Sequence, residues 1–193
     1  IVITIIANSR GLIDAASVGI VEKIICFIFL VPSAFLSAIS AITAQNLGAG
    51  QMIRAKKSLY YGLIITVSWG IIVAIYCQFM PHTLVRLFTK EEPVLLAGCE
   101  YLRSYCFDAT FAAVHFCFSG FFCGIEKSRL SFIHNLASVL LVRIPGTYFL
   151  SESFKNTLYP MGFAAPLGSL LSAVMCVCFY LYIKDDIVKS NIN

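Results

Sequence analysis

SYCFDATFAAVHFCFSGFFCGI, residues Ser104–Ile125, decides the class of this protein. As a helix it is long enough and apolar enough to cross a bilayer, which takes about 20 residues. It nevertheless carries Asp108 and His115 in its interior. An Asp at the centre of a spanning helix costs about 2.5–3.5 kcal/mol on insertion scales. Asp108 and His115 are seven residues apart, which places them on one helical face, roughly 10 Å apart along the axis. Ser104 and Ser119 extend that face at the next helical offset on either side. Such a polar stripe on an apolar rod must face protein or a water-filled cavity, because lipid does not solvate it.

The rest of the chain agrees. Its 193 residues are 59% hydrophobic and 12% charged, with a mean hydropathy of +0.86. Soluble domains carry about 25% charged residues, so this chain lacks the polar surface to cover a globule in water. The fold class expected is an all-α integral membrane bundle. The net charge of +4 then bears on topology. No basic run is interleaved with aromatics, which argues against a nucleic-acid partner. Six of the eight cysteines lie in apolar runs and none forms a C-x-x-C pair. They read as small hydrophobes without a disulfide framework. Cys176 and Cys178 point to different faces of a helix, so no metal site is expected. There is no G-x-S-x-G elbow, H-E-x-x-H site or phosphate-cradling loop. Hence no catalytic residue, no enzyme activity and no cofactor are expected.

Outward from this stretch, the chain divides into spans and turns. Ile1–Ala7 is too short to span and reads as the end of a truncated helix in a longer protein, without a signal peptide. Asn8–Asp14 is a polar turn. Ile24–Ala44 is an uncharged span with Pro32 inside it. Pro32 should kink the helix, with neighbouring helices or serines satisfying the freed carbonyl. Ser33, Ser37 and Ser40 share a face there that reads as a small-residue packing seam. Gln45–Lys57 reverses the chain through Gly48 and Gly50 and holds the basic cluster Arg54, Lys56 and Lys57. Leu59–Met80 is the next span, and Pro81–Pro93 a mixed-charge external loop. After the central stretch come a short turn at Gly124–Arg129, a span at Leu130–Ser151 and a last span at Leu158–Ile183, with Pro160 and Pro166 as bends. A polar tail, Lys184–Asn193, closes the chain. The basic residues set the Arg54–Lys57 turn, the Lys127–Arg129 turn and the tail in the cytoplasm, on the positive-inside rule.

Leu130–Ser151 contains Arg143. From the shared turn at Glu126, Asp108 lies 18 residues back and Arg143 17 residues on. At 1.5 Å per residue the two heights nearly match. Two charges that are each costly in a membrane cost less when paired, so an Asp108–Arg143 contact is expected. It reads either as a strut holding two helices in register or as a coupling site. A histidine titrates near neutral pH when unperturbed, so His115 reads as a proton carrier or as a neutral residue bonded to the next helix, the second being favoured. The nearby aromatics Tyr105, Phe107, Phe111, Phe116 and Phe118 face lipid or line a pocket for lipophilic cations.

Three motifs together resemble one family: AQNLGAGQMIRAKK (Ala44–Lys57), CEYLRSYCFDATF with CFSGFFCGIEKSRLSF (within Cys99–Phe132) and VLLVRIPGTYFLS (Val139–Ser151). They are similar to the C-terminal half of multidrug and toxic compound extrusion (MATE) transporters, above all the bacterial NorM-related branch. The resemblance covers essentially the whole chain. It implies half of a twelve-helix, pseudo-twofold transporter: residues 1–193 would be a six-helix bundle, from the end of a truncated helix 7 through helix 12. The N-terminal bundle, absent from this chain, would be its partner. It implies export of small organic cations across the plasma or inner membrane in exchange for sodium or protons. The helix-10 acid of sodium-coupled members falls near Ala112, one turn after Asp108. Asp108 is thus the cation-coupling residue implied, with Arg143, His115, Ser104 and Ser119 supporting it or lining the cavity. A lipid-linked sugar flippase and a non-transporting membrane scaffold are the alternatives; a flippase would line its cavity with several cationic residues.

Overall fold

The computed structural model describes residues 2–189, with side chains described from 3 to 183. Its surface is apolar and much of its polarity is inside. Ile64, Ile65, Ile72, Phe132, Leu141, Phe149, Leu167 and Val174 are exposed, whereas Asp108, His134, Ser169 and Ser172 are buried. Lipid, not water, is the solvent such a surface suits.

Short α1 (Val2–Asn8) leads to α2 (Leu12–Ile28) and α3 (Leu30–Gly48), which together make one long span. Then follow α4 (Met52–Phe79), the short α5 (Pro81–Val85), and the pair α6 (Glu92–Tyr105) and α7 (Asp108–Gly124). Next comes α8 (Ser128–Ser138), which runs through a π-helical segment (Val139–Arg143) into α9 (Ile144–Ser153). The last span is the short α10 (Tyr159–Gly162) and α11 (Ala164–Lys189). Five spans result when α6 and α7 count as one, as expected. The first is longer than expected, because the helix begins at Leu12 and not near Ile24. At 37 residues it measures about 55 Å, well beyond the ~30 Å hydrocarbon layer. The tail keeps a helical backbone to Lys189, and its last four residues, 190–193, lie outside the described residues.

α7 is the central helix, packed against α3, α4, α8 and α11. Glycines set its approach. A Cβ on Gly120 would sit 2.4 Å from the Leu36 carbonyl oxygen, and one on Gly124 2.7 Å from that of Ser40. Gly120-x-x-x-Gly124 is thus a close-contact seam of the small-xxx-small kind. The serine seam expected on α3 forms only in part: Ser40 meets Gly124 at this contact and, like Ser33, is half-buried, whereas Ser37 is exposed and the buried residues of α3 are Pro32, Ile39 and Thr43. Ser33 and Ser37 bond to carbonyls of their own helix instead.

Proline accounts for three of the four mid-span interruptions. Pro32 and Pro166 lack the N–H that would bond four residues back, and the helix breaks three residues before each, at Phe29 and Phe163. The carbonyl that Pro32 leaves free, that of Ile28, accepts a bond from the Trp69 indole N–H at 3.2 Å. A neighbouring helix thus supplies the partner, as expected. Pro145 follows the π-helical segment, where the Ile144 N–H reaches back five residues to the Val139 carbonyl. Two apolar clusters lie on either side of these breaks. Val18, Val21, Tyr101, Leu102 and Met161 belong to one, and Ile39, Leu59, Phe121, Phe122 and Cys176 to the other.

The two inner turns expected from the basic residues close by the same backbone pattern. The Gln51 N–H bonds to the Asn46 carbonyl and the Lys127 N–H to that of Phe122. The left-handed position is Gly50 (φ 68°) in one and Glu126 (φ 62°) in the other. At the opposite end of the bundle, Arg10 ties two loops together. Its guanidinium donates to the Asp14 carboxylate at 2.7 Å and to the carbonyls of Ser151, Phe154, Lys155 and Thr157 at 2.8–3.1 Å.

Candidate functional site

The central stretch is not the single helix the sequence suggests. It bends by 47° between Tyr105 and Asp108, with no proline there. Instead the N–H groups of Ala109 and Thr110 bond three residues back, the tighter 3₁₀ pattern common at helix ends. Asp108 is therefore the first residue of α7. Its carboxylate lies where the helix dipole favours negative charge, worth about 0.3–1 kcal/mol at an exposed site and up to ~2 when partly buried.

The expected ion pair forms. Asp108 is fully buried, and the Arg143 Nη2 donates to its Oδ2 at 3.1 Å and its Oδ1 at 3.4 Å. Arg143 is about one-fifth exposed, and the same Nη2 lies 2.7 Å from the Ser169 Oγ of α11. Gly168 makes room for it: a Cβ there would lie 2.5 Å from the Arg143 Cγ. The π-helical segment ends at Arg143, and the Arg143 carbonyl is satisfied by the Thr147 hydroxyl at 2.6 Å. A π-helical turn of this kind often marks a functional position.

The other members of the predicted stripe separate. Ser104 stays in α6, on the far side of the bend, buried against Gly162 and donating to the Tyr101 carbonyl at 3.1 Å. His115 is buried on α7, but its Nδ1 has no hydrogen-bond partner. The bond to the next helix that was expected of His115 is thus not made by Nδ1. That bond belongs to Ser119, whose Oγ lies 2.9 Å from the His134 Nε2. The Nδ1 of His134 lies 2.6 Å from the Ser172 Oγ. His134 is fully buried, and its ring lies 5.9 Å from that of His115.

His134, Ser169 and Ser172 were missed from the sequence. His134 had a signal: from Glu126, Ser119 is seven residues back and His134 eight on, the same height argument that pairs Asp108 with Arg143. Ser169 and Ser172, three residues apart, share a helix face, but nothing in their spacing says which neighbour they meet. Of the aromatics, Tyr105 and Phe118 are buried and Phe107, Phe111 and Phe116 half-buried. Phe107 stacks on Phe163 at 6.1 Å, so residues at two of the helix breaks touch. A cavity of about 490 Å³ lies elsewhere, between His82, Arg86, Lys90, Glu92 and Leu95.

Two buried polar groups thus join α7 to α11, one through Arg143 and one through His134. The first carries charge; the second can stay neutral. A family model described as MatE matches residues 1–149 of the chain.

This chain belongs to the MatE family.

Among its relatives are Protein DETOXIFICATION 53 of Arabidopsis thaliana, 26% identical over 88% of the chain, and human multidrug and toxin extrusion protein 1, 24% identical over 90%. The chain covers 34% and 30% of those two proteins, about a third of their length. A bacterial protein, the FAD transporter of Shewanella oneidensis, is likewise 26% identical over 86% of the chain, so the match is to the family and does not single out a branch. A crystal structure titled MATE in the bent conformation superposes with a TM-score of 0.85 at 18% identity, over 96% of the chain and 41% of that structure. The chain is a MatE-family, multi-pass membrane protein with an all-helical MATE fold.

Proposed function

We propose that residues 1–193 are the C-terminal bundle, from the end of helix 7 through helix 12, of a secondary transporter. It exports small organic cations across the plasma or inner membrane in exchange for sodium or protons. An N-terminal bundle of the same protein encloses the cavity with it. One observation carries the reading: a fully buried carboxylate, Asp108, is held by an arginine from the neighbouring span. Asp108 has two states. Paired with Arg143 it is a carboxylate and holds α7 against the π-helical segment. Bound to an incoming sodium ion or proton, it releases Arg143. An ion that binds one of two conformations better shifts the balance between them, and only by that difference in affinity. The helix bend beside Asp108 and the π-helical turn at Arg143 are where such a shift can be taken up with little loss of packing. Alternating access by rocking one bundle against another is the general transporter device.

The test is drug efflux by the gene product that contains this chain, in a host lacking its own pumps, with the sodium and proton gradients collapsed in turn. Export that stops when one gradient is collapsed supports the reading. Export that persists without either gradient, or no export under any, contradicts it.

A further inference from the structure

We propose that His115 and His134 form the inner step of a proton path that starts at Asp108, so that the coupling ion is a proton. This rests on the reading of Asp108 as the coupling carboxylate. His115 and Ser119 follow Asp108 along α7 towards the inner turn, and His134 rises towards them from the other side of that turn. The two rings are 5.9 Å apart, both buried. Each His has the feature its step needs. The Nδ1 of His115 is buried with no partner, so no hydrogen bond has to break before it takes a proton. His134 is bonded at both nitrogens, to the hydroxyls of Ser119 and Ser172. A serine hydroxyl both donates and accepts. His134 can therefore gain a proton at one nitrogen and lose one at the other while both hydroxyls only rotate, and no hydrogen bond is lost.

Among the described side chains, the surroundings leave few competing groups. α7 contributes Asp108 and the π-helical segment Arg143; α8 contributes Ser138 and α11 contributes Ser169 and Ser172. α3 has no charged residue, and the charges of α4 are Arg54, Lys56 and Lys57, near its start. Among the described side chains of these helices, Asp108 is thus the carboxyl group these imidazoles serve. In the step, the Asp108 O–H bond breaks and its proton passes through water to a ring nitrogen of His115. His115 gives up a proton to the hydroxyl of Ser119, one helical turn on, as that hydroxyl passes its own to the His134 Nε2. The His134 Nδ1 then gives its proton to the Ser172 hydroxyl, which passes its own to water at the inner turn. Asp108 is left as a carboxylate and re-forms its pair with Arg143. Proton departure and re-locking are then one event.

The experiment uses the gene product that contains this chain in sodium-free liposomes, with tetraphenylphosphonium as the exported cation and an internal pH dye. Wild type should exchange the cation for protons without sodium. His134→Gln and His115→Gln should each slow the exchange about tenfold or more and flatten its pH profile, while still binding tetraphenylphosphonium. His115→Gln removes no hydrogen bond of Nδ1, so it decides the matter if His134→Gln fails to fold. Asp108→Asn is the control. If it is inactive while both His variants keep the wild-type rate and pH profile, the relay is wrong and the coupling reading stands. If it is active, both are wrong. A strict sodium requirement without proton movement also overturns the relay.

Discussion

The first full span and the third are both broken in mid-membrane, with opposite chemical results. At Phe29 the break follows from Pro32, and the one carbonyl set free is met by a neutral donor, the Trp69 indole. The site is closed; nothing there titrates or carries charge. At Cys106–Phe107 there is no proline, and the first residue after the break is a buried carboxylate met by a guanidinium. A broken helix is therefore not by itself a functional mark. What separates the two is whether the group at the break can exist in two charge states. On this account, changes at Phe29 affect stability alone, and changes at Asp108 affect state.

The comparison can be broken or sharpened by mutation, with stability read from thermal unfolding in detergent. Arg143→Ala should have the largest effect, a loss of about 3–5 kcal/mol from stranding a buried carboxylate. Adding Asp108→Asn should recover most of it; no recovery would mean that Arg143 acts through its packing on Gly168 and not through charge. Gly120→Val should cost about 1–3 kcal/mol by pushing α7 away from Leu36, as overpacking does. Trp69→Phe should cost about 0.6 kcal/mol and at most ~1.7, the range for hydrogen bonds between membrane helices. It should leave transport intact, and a transport defect would erase the contrast between the two breaks. Glu126→Gly should stabilise by about 1 kcal/mol, because it removes a side chain from a left-handed position.

The spans were legible because hydropathy sums over whole helices, and local detail cannot hide some twenty apolar residues. The Asp108–Arg143 contact was legible because the two helices share a tight turn, which fixes relative height. The same ruler would have found Ser119 with His134. Ser169 was not legible: α11 reaches the site from another part of the chain, and its rotation about its own axis follows from packing at Gly168. The breaks were half legible. Pro32 and Pro166 announce them, but the geometry fails three residues earlier, where the unmade bond would have closed. The bend at Cys106–Phe107 has no composition signal. Read as a continuous helix, the stretch kept Ser104 in the polar stripe; the bend removes it.

The central claim is that Asp108 exchanges Arg143 for a transported cation. It is tested most directly by Asp108→Asn in the gene product that contains this chain, reconstituted in liposomes under an imposed sodium or proton gradient. Asn keeps the size of the side chain but can neither ionise nor bind a proton. The account predicts normal expression and folding with coupled drug export abolished under either gradient. Export by Asp108→Asn at the wild-type rate would contradict it and make the Asp108–Arg143 pair a strut.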